Sequence, residues 1–156
     1  LIDVAVELKK RQFLFKLLIG GSGPLENELK QISKAKGVAD CIMFAGFVEL
    51  PKDLYGSGDI FLLPSLWEGF GYVLAEAGLC ALPSIALNVS SNGQIIQDGK
   101  TGILVSEPNP LLFADAVMIL SENEQLRHEM GAAAKSFVKK NFEAEDILKE
   151  IEHVIS

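Results

Sequence analysis

Apolar positions along the chain alternate between a helical spacing and short unbroken runs. Ile2, Val4, Ala5 and Leu8 recur at helical intervals across Leu1–Arg11, a segment that closes on Lys9, Lys10 and Arg11, where cations suit a helix C-terminus. Phe13–Ile19 is apolar apart from Lys16 and predicts a buried strand. Gly20-Gly21-Ser22-Gly23-Pro24 turns the chain into a helix over Leu25–Lys36, with Leu25, Leu29, Ile32 and Ala35 on its apolar face and Gly37 as its stop. Cys41–Phe44 predicts a short strand, Ala45–Glu49 a loop around Gly46, and Pro51–Ser57 a short helix. Ile60–Leu63 predicts a third strand, Gly71–Cys80 a helix, and Leu82–Leu87 a fourth strand. Asn88–Gly93 reads as a polar loop and Gln94–Gln97 as a short turn or helix. Asp98–Gly102 forms a tight turn ahead of a fifth strand over Ile103–Val105. Three helices follow, over Pro110–Glu122, Glu124–Lys140 and Ala144–Ile155.

Strands that are apolar throughout need cover on both faces. The repeated strand–helix alternation therefore predicts a three-layer, doubly wound α/β fold with a mostly parallel, Rossmann-like sheet and C-terminal helices. Residues 1–156 read as a single domain. Ligands of such sheets sit beyond the carboxyl ends of the strands. The loops Gly20–Gly23, Ala45–Glu49, Glu68–Gly71 and Asn88–Gly93 all follow strands, so they are expected to gather on one rim.

Composition narrows the picture. The 156 residues are 49% hydrophobic and 22% charged, ordinary for a folded protein. A net charge of −7 argues against a nucleic-acid partner, because that binding depends on Lys and Arg neutralising phosphates. No run reaches the ~18–20 apolar residues that span a bilayer, and no signal peptide is visible. Cys41 and Cys80 lack metal-type spacing, so they are expected to be reduced thiols in a cytoplasmic setting. His128 and His153 sit among charged residues and read as solvated surface, as does the acidic group Glu143, Glu145, Asp146, Glu150 and Glu152.

The informative chemistry lies in Pro64–Cys80. A buried strand stops at Pro64, a glycine turn follows, and a short helix opens. Such a helix start offers unpaired N–H groups to an anion. Glu68 and Glu76 bracket it, separated by seven residues. Two carboxylates would repel a phosphate unless each holds something else, such as sugar hydroxyls.

Several segments now fall into a known order. Asp59-Ile60-Phe61-Leu62-Leu63-Pro64-Ser65, Glu68-Gly69-Phe70-Gly71 and Glu76-Ala77 resemble the C-terminal, donor-binding half of GT-B glycosyltransferases, specifically the retaining family 4 (group 1) enzymes with their Glu-x7-Glu pattern. Ile19–Pro24, Phe44-Ala45-Gly46, Pro83–Ala86, Asp98–Val105, and Leu126-Arg127 with Met130-Gly131 continue the likeness over about Leu1 to Phe142.

The resemblance implies a nucleotide-diphosphate sugar as donor, UDP- or GDP-type, transferred to a hydroxyl acceptor by a metal-independent, hexosyltransferase-type enzyme of polysaccharide or glycoconjugate biosynthesis. It implies that Glu76 accepts from the ribose hydroxyls and that Glu68, the catalytic candidate, faces the donor sugar. Gly69, Phe70, Gly71, Tyr72 and Val73 would present N–H groups to the donor, with Val73 also walling the ribose. Gly46, Phe47 and Val48 would line the base pocket, and Gly21 would approach the ligand from the first glycine turn. No metal site and no cofactor beyond the substrate are implied.

The family's usual Arg and Lys for the diphosphate lie upstream of this sequence, as do its first strand and its acceptor domain. Gln94 stands where a carboxylate is common in the family. The chain by itself is therefore expected to be inactive, the acceptor being bound by the N-terminal domain. Peripheral attachment of the full-length protein at the inner membrane face stays open. The alternatives are a non-catalytic nucleotide-sugar-binding or interaction module on the same fold, or a related GT-B enzyme such as a sugar-nucleotide epimerase.

Overall fold

A computed structural model describes residues 1–48, 51–69, 71–89 and 91–142. The expected helix over Ala144–Ile155, the acidic group beyond Phe142, His153 and the site candidate Phe70 lie outside the described residues. The chain forms two compact units, Leu1–Glu49 and Leu50–Ser156.

In the first unit, helix α1 (Ile2–Lys10) leads to strand β1 (Leu17–Gly20), helix α2 (Glu26–Ala35) and strand β2 (Ile42–Gly46). β1 and β2 pair in parallel, Leu17 opposite Ile42 and Ile19 opposite Phe44. Ile2, Ala5 and Val38 form a small core, against which Phe15, Leu17, Ile32 and Ile42 pack. The strand is shorter than the apolar run Phe13–Ile19 predicts, and it is covered on one face only. Burial alternates along both strands, leaving Leu18 and Met43 exposed, while Leu14 ahead of β1 is 93% exposed. The reason is that α1 and α2 both pack on the face carrying Leu17 and Ile42. On α2, Ser33 is the buried position, and Leu25, Leu29 and Ala35 are exposed, contrary to the periodicity. Ser33 Oγ satisfies itself on the Lys30 carbonyl at 2.8 Å.

The second unit holds helix α3 (Pro51–Gly56), strand β3 (Phe61–Leu63), helix α4 (Tyr72–Leu79), strand β4 (Ser84–Leu87), helix α5 (Asn92–Ile95), strand β5 (Gly102–Val105) and helices α6 (Pro110–Glu122) and α7 (Glu124–Asn141). The strands pair in parallel in the order β3-β4-β5. β4 is central and buried at every position, as a parallel strand between two helical layers must be. The five strands thus make a two-stranded and a three-stranded ladder. Among the described residues, β3 pairs on one edge only.

Leu74, Ala75 and Leu79 of α4, Ala86 of β4, Ile95, Ile96 and Val138 of α7 form the main core here. Each fully buried Leu or Ile contributes about 1.5–3 kcal/mol. The close approach of α4 and α7 depends on glycine: a Cβ on Gly78 would stand 2.9 Å from Val138 Cγ2. Asparagine caps both late helices, Asn109 Oδ1 accepting from the Leu111 N–H and Asn123 Oδ1 from the Leu126 N–H. No described helix is long and apolar enough to cross a membrane.

Candidate functional site

β3 ends at Leu63, and Pro64 removes the next ladder donor, which forces the chain off the sheet. Leu66 and Trp67 stand exposed at the tip of the loop, Glu68 is half-buried and Gly69 is open. The chain then dives inward at Gly71, whose φ is +27°. A side chain there would meet Ile95 Cδ1 and Leu74 Cδ1 at 3.2 Å and Asn92 Oδ1 at 3.3 Å. Glycine is favoured on both counts, conformation and space.

α4 starts at Tyr72, with Gly71 as its N-cap, no side-chain cap and no acidic residue in its first turn. Leu74, Ala75, Ala77, Gly78 and Leu79 are buried along it. Tyr72 and Cys80 stand four residues on either side of Glu76, with Val73 three before it, so these residues share a stripe. Tyr72 is exposed, Val73 and Cys80 are half-buried, and Glu76 is 9% exposed.

A carboxylate this deep needs a partner. Tyr55 of α3 supplies one: its hydroxyl donates to Glu76 Oε2 at 2.6 Å. That length lies at the short end of the O–H···O range. Tyr55 sits in a second apolar cluster with Ala77 and Leu82, flanked by Cys80 and by Phe61, whose ring meets the tyrosine edge-on at 5.6 Å. Burial, then the bond to Glu76, pushes the Tyr55 hydroxyl well above the ordinary tyrosine range, so it stays a neutral donor. Burial also raises the Cys80 thiol, with Glu76 acting in the same direction and Lys135 against it. Cys41 and Cys80 are both free thiols.

The loop after β4 approaches the same turn. Asn92 is wholly buried, and its Nδ2 donates to the Leu87 carbonyl at 2.9 Å. Its Oδ1, facing Gly71, has no hydrogen-bond partner, and neither has Ser91 Oγ. Within this unit the loops after β3 and β4 therefore meet, as strand–loop order predicts. Gln94 is exposed beside them.

Gly21, Gly46, Phe47 and Val48 belong to the first unit. The Gly21 N–H donates to the Gly46 carbonyl at 2.7 Å, which joins the ends of β1 and β2. Both glycines have positive φ, +113° and +67°. Phe47 is 79% exposed and Val48 half-buried. A cavity of about 410 Å³ lies elsewhere in the second unit, between the turn at Gln97–Thr101 and α7, and none of the expected site residues lines it.

Sequence reasoning overlooked Tyr55 and Asn92. A tyrosine beside a leucine in a short helix is a usable signal, because a buried phenol needs a hydrogen-bond partner. The identity of that partner, 21 positions away, is not legible locally.

The family model described as glycosyl transferases group 1 matches residues 1–137. N-acetyl-alpha-D-glucosaminyl L-malate synthase of Bacillus anthracis is 33% identical over 139 residues, covering 89% of this chain and 36% of its own length. The chain thus spans about a third of the length of the curated relatives it matches. The solved C-terminal domain of a group 1 glycosyl transferase family protein, LpcC of Francisella tularensis, superposes with a TM-score of 0.77 at 27% identity, over 92% of this chain and 77% of that one. The pneumococcal O-GlcNAc transferase GtfA, solved with UDP and GlcNAc, superposes with a TM-score of 0.79 at 26% identity, over 99% of this chain and 32% of that one. With parallel α/β architecture, a glycine turn between two glutamates and a family match along most of its length, the chain belongs to the group 1 glycosyltransferases of GT-B fold.

Proposed function

We propose that this chain binds the nucleotide-diphosphate sugar, UDP- or GDP-type, of a retaining, metal-independent glycosyltransferase that passes a hexosyl group to a hydroxyl acceptor. The observation that carries the reading is Glu76: a carboxylate buried one turn inside a helix whose uncapped start adjoins a glycine turn and a second carboxylate, Glu68. Burying a carboxylate is costly, and stability alone gives no reason to keep one here. Ribose hydroxyls supply the reason. A carboxylate accepts charge-assisted hydrogen bonds from a vicinal diol, each worth about 1.5–3 kcal/mol.

The start of α4 addresses the diphosphate, where the helix dipole favours negative charge. Its N–H groups stabilise the charge that grows on the leaving diphosphate as the glycosidic bond breaks. Glu68 stands on the sugar side of the same turn. The UDP and GlcNAc complex of GtfA supports a nucleotide sugar as the ligand class.

The chain spans about a third of the length of the curated relatives it matches, and acceptor binding is not assigned to residues 1–156. Residues 1–156 on their own are proposed to turn over no substrate. Calorimetry with UDP and GDP on a protein extended upstream tests the reading. Glu76→Ala is expected to weaken nucleotide binding by about tenfold or more. Binding as tight as the parent's removes the ribose role.

A further inference from the structure

We propose that Tyr55 is a positioning residue for the donor site: it fixes the Glu76 carboxylate through Oε2 so that Oε1 is presented to a ribose hydroxyl. The proposal rests on the assignment of Glu76 to the ribose. Three observations carry it.

The bond is short, 2.6 Å, and both partners are buried. An unrestrained glutamate has three side-chain torsions and loses that freedom on binding a ligand. A carboxylate already fixed by a rigid phenol does not. Tyr55 itself is fixed, its ring packed between Phe61, Ala77 and Leu82. The donor is thus anchored to the sheet and to α4, the two elements that place the turn.

The bond also occupies one oxygen and leaves the other. Tyr55 donates to Oε2. Oε2 is thus engaged, and the incoming hydroxyl is assigned to Oε1. Oε2 keeps a second lone pair, so a diol can still reach both oxygens, but only in the orientation that the phenol permits.

Finally, Glu76 shares its stripe with exposed Tyr72 and half-buried Val73, the part of α4 not sealed into the core, and with half-buried Cys80 just past its end. Tyr55 approaches from α3, beside this stripe, and Cys80 closes the far end as a protonated thiol.

The test measures UDP and GDP binding by calorimetry on the upstream-extended protein, each against its 2′-deoxy counterpart. Wild type is expected to prefer the ribonucleotide, and Tyr55→Phe to reduce that preference by about tenfold while binding of the deoxynucleotide changes little. Glu76→Ala removes the preference outright, and adding Tyr55→Phe to it changes nothing further. para-Aminophenylalanine at position 55 returns an N–H donor to the place of the hydroxyl, and it is expected to restore most of the preference.

If Tyr55→Phe weakens ribo- and deoxynucleotides equally, or if its preference matches wild type, Tyr55 is only a packing residue and the proposal is overturned. It is overturned as well if the amine fails to restore the preference lost in the phenylalanine variant. If wild type itself does not distinguish the ribose from the deoxyribose, the assignment of Glu76 to the ribose fails instead.

Discussion

Gly131 offers a demanding test of how the site-bearing helix is held. It lies on α7 against the corner where α4 passes into β4. A Cβ at this position would stand 2.1 Å from the Ala81 carbonyl oxygen, 3.0 Å from its carbon and 3.3 Å from Pro83 Cδ. A comfortable C···O contact needs about 3.3 Å or more. The carbonyl cannot swing aside. Ala81 is held at a φ of +58°, its N–H donates to Gly78 O at 2.8 Å, and the next N–H, from Leu82, donates to Ala77 O at 2.9 Å. Gly131→Ala must therefore move α7 outward by roughly 1 Å, lifting Val138 from Gly78 and loosening the core around Leu74 and Leu79.

Overpacking costs about 1–3 kcal/mol when side chains can adjust, and a backbone obstacle places this case at about 3 kcal/mol. For a chain of this size the melting temperature should fall by roughly 6–12 °C, read by circular dichroism or calorimetry. Helix propensity alone predicts the opposite sign, a gain of about 1 kcal/mol. A variant that melts within about 2 °C of the parent, or above it, would refute the close packing of α4 on α7.

Other expectations follow from the same contacts. Asn123→Ala removes the bond to the Leu126 N–H at the start of α7 and should cost about 1 kcal/mol, seen as a lower urea midpoint, with Asn123→Asp near the parent. Because burial raises the Tyr55 hydroxyl, the folded state keeps that proton after the unfolded chain has released it. The stability this contributes is fully present below about pH 10 and falls by about 1.4 kcal/mol per pH unit above it. Urea titrations between about pH 9 and pH 11 should show this slope, and Tyr55→Phe should lose it. In the upstream-extended enzyme, Glu68→Gln should lower kcat by about 10²-fold with little change in nucleotide affinity; an unchanged kcat removes Glu68 from the chemistry.

Much of the candidate site was legible from local chemistry. Pro64 ends a strand, Gly71 permits a turn that strains other residues, and the Glu68–Glu76 spacing places both carboxylates around a helix start. Each of these depends on residues within a few positions of one another. The parallel pairing was legible too, since strands joined through helices run the same way. The Phe13–Ile19 run misled because apolarity shows that a strand can be buried, without showing which faces this chain covers. Leu17 and Ile42 have α1 and α2 against them, and Leu18 and Met43 do not.

The sequence by itself determined the alternation of elements, the turn chemistry and the pair of carboxylates, because backbone propensity, proline and glycine act locally. Tertiary structure alone decided that Glu76 is buried, that a phenol 21 positions upstream holds it, and that Asn92 meets Gly71 with an unpaired oxygen. It also decided that Gly131 must remain bare against a backbone carbonyl. Burial and hydrogen-bond partnership depend on which distant segments pack together, and that is settled only when strands and helices close on one another within each unit.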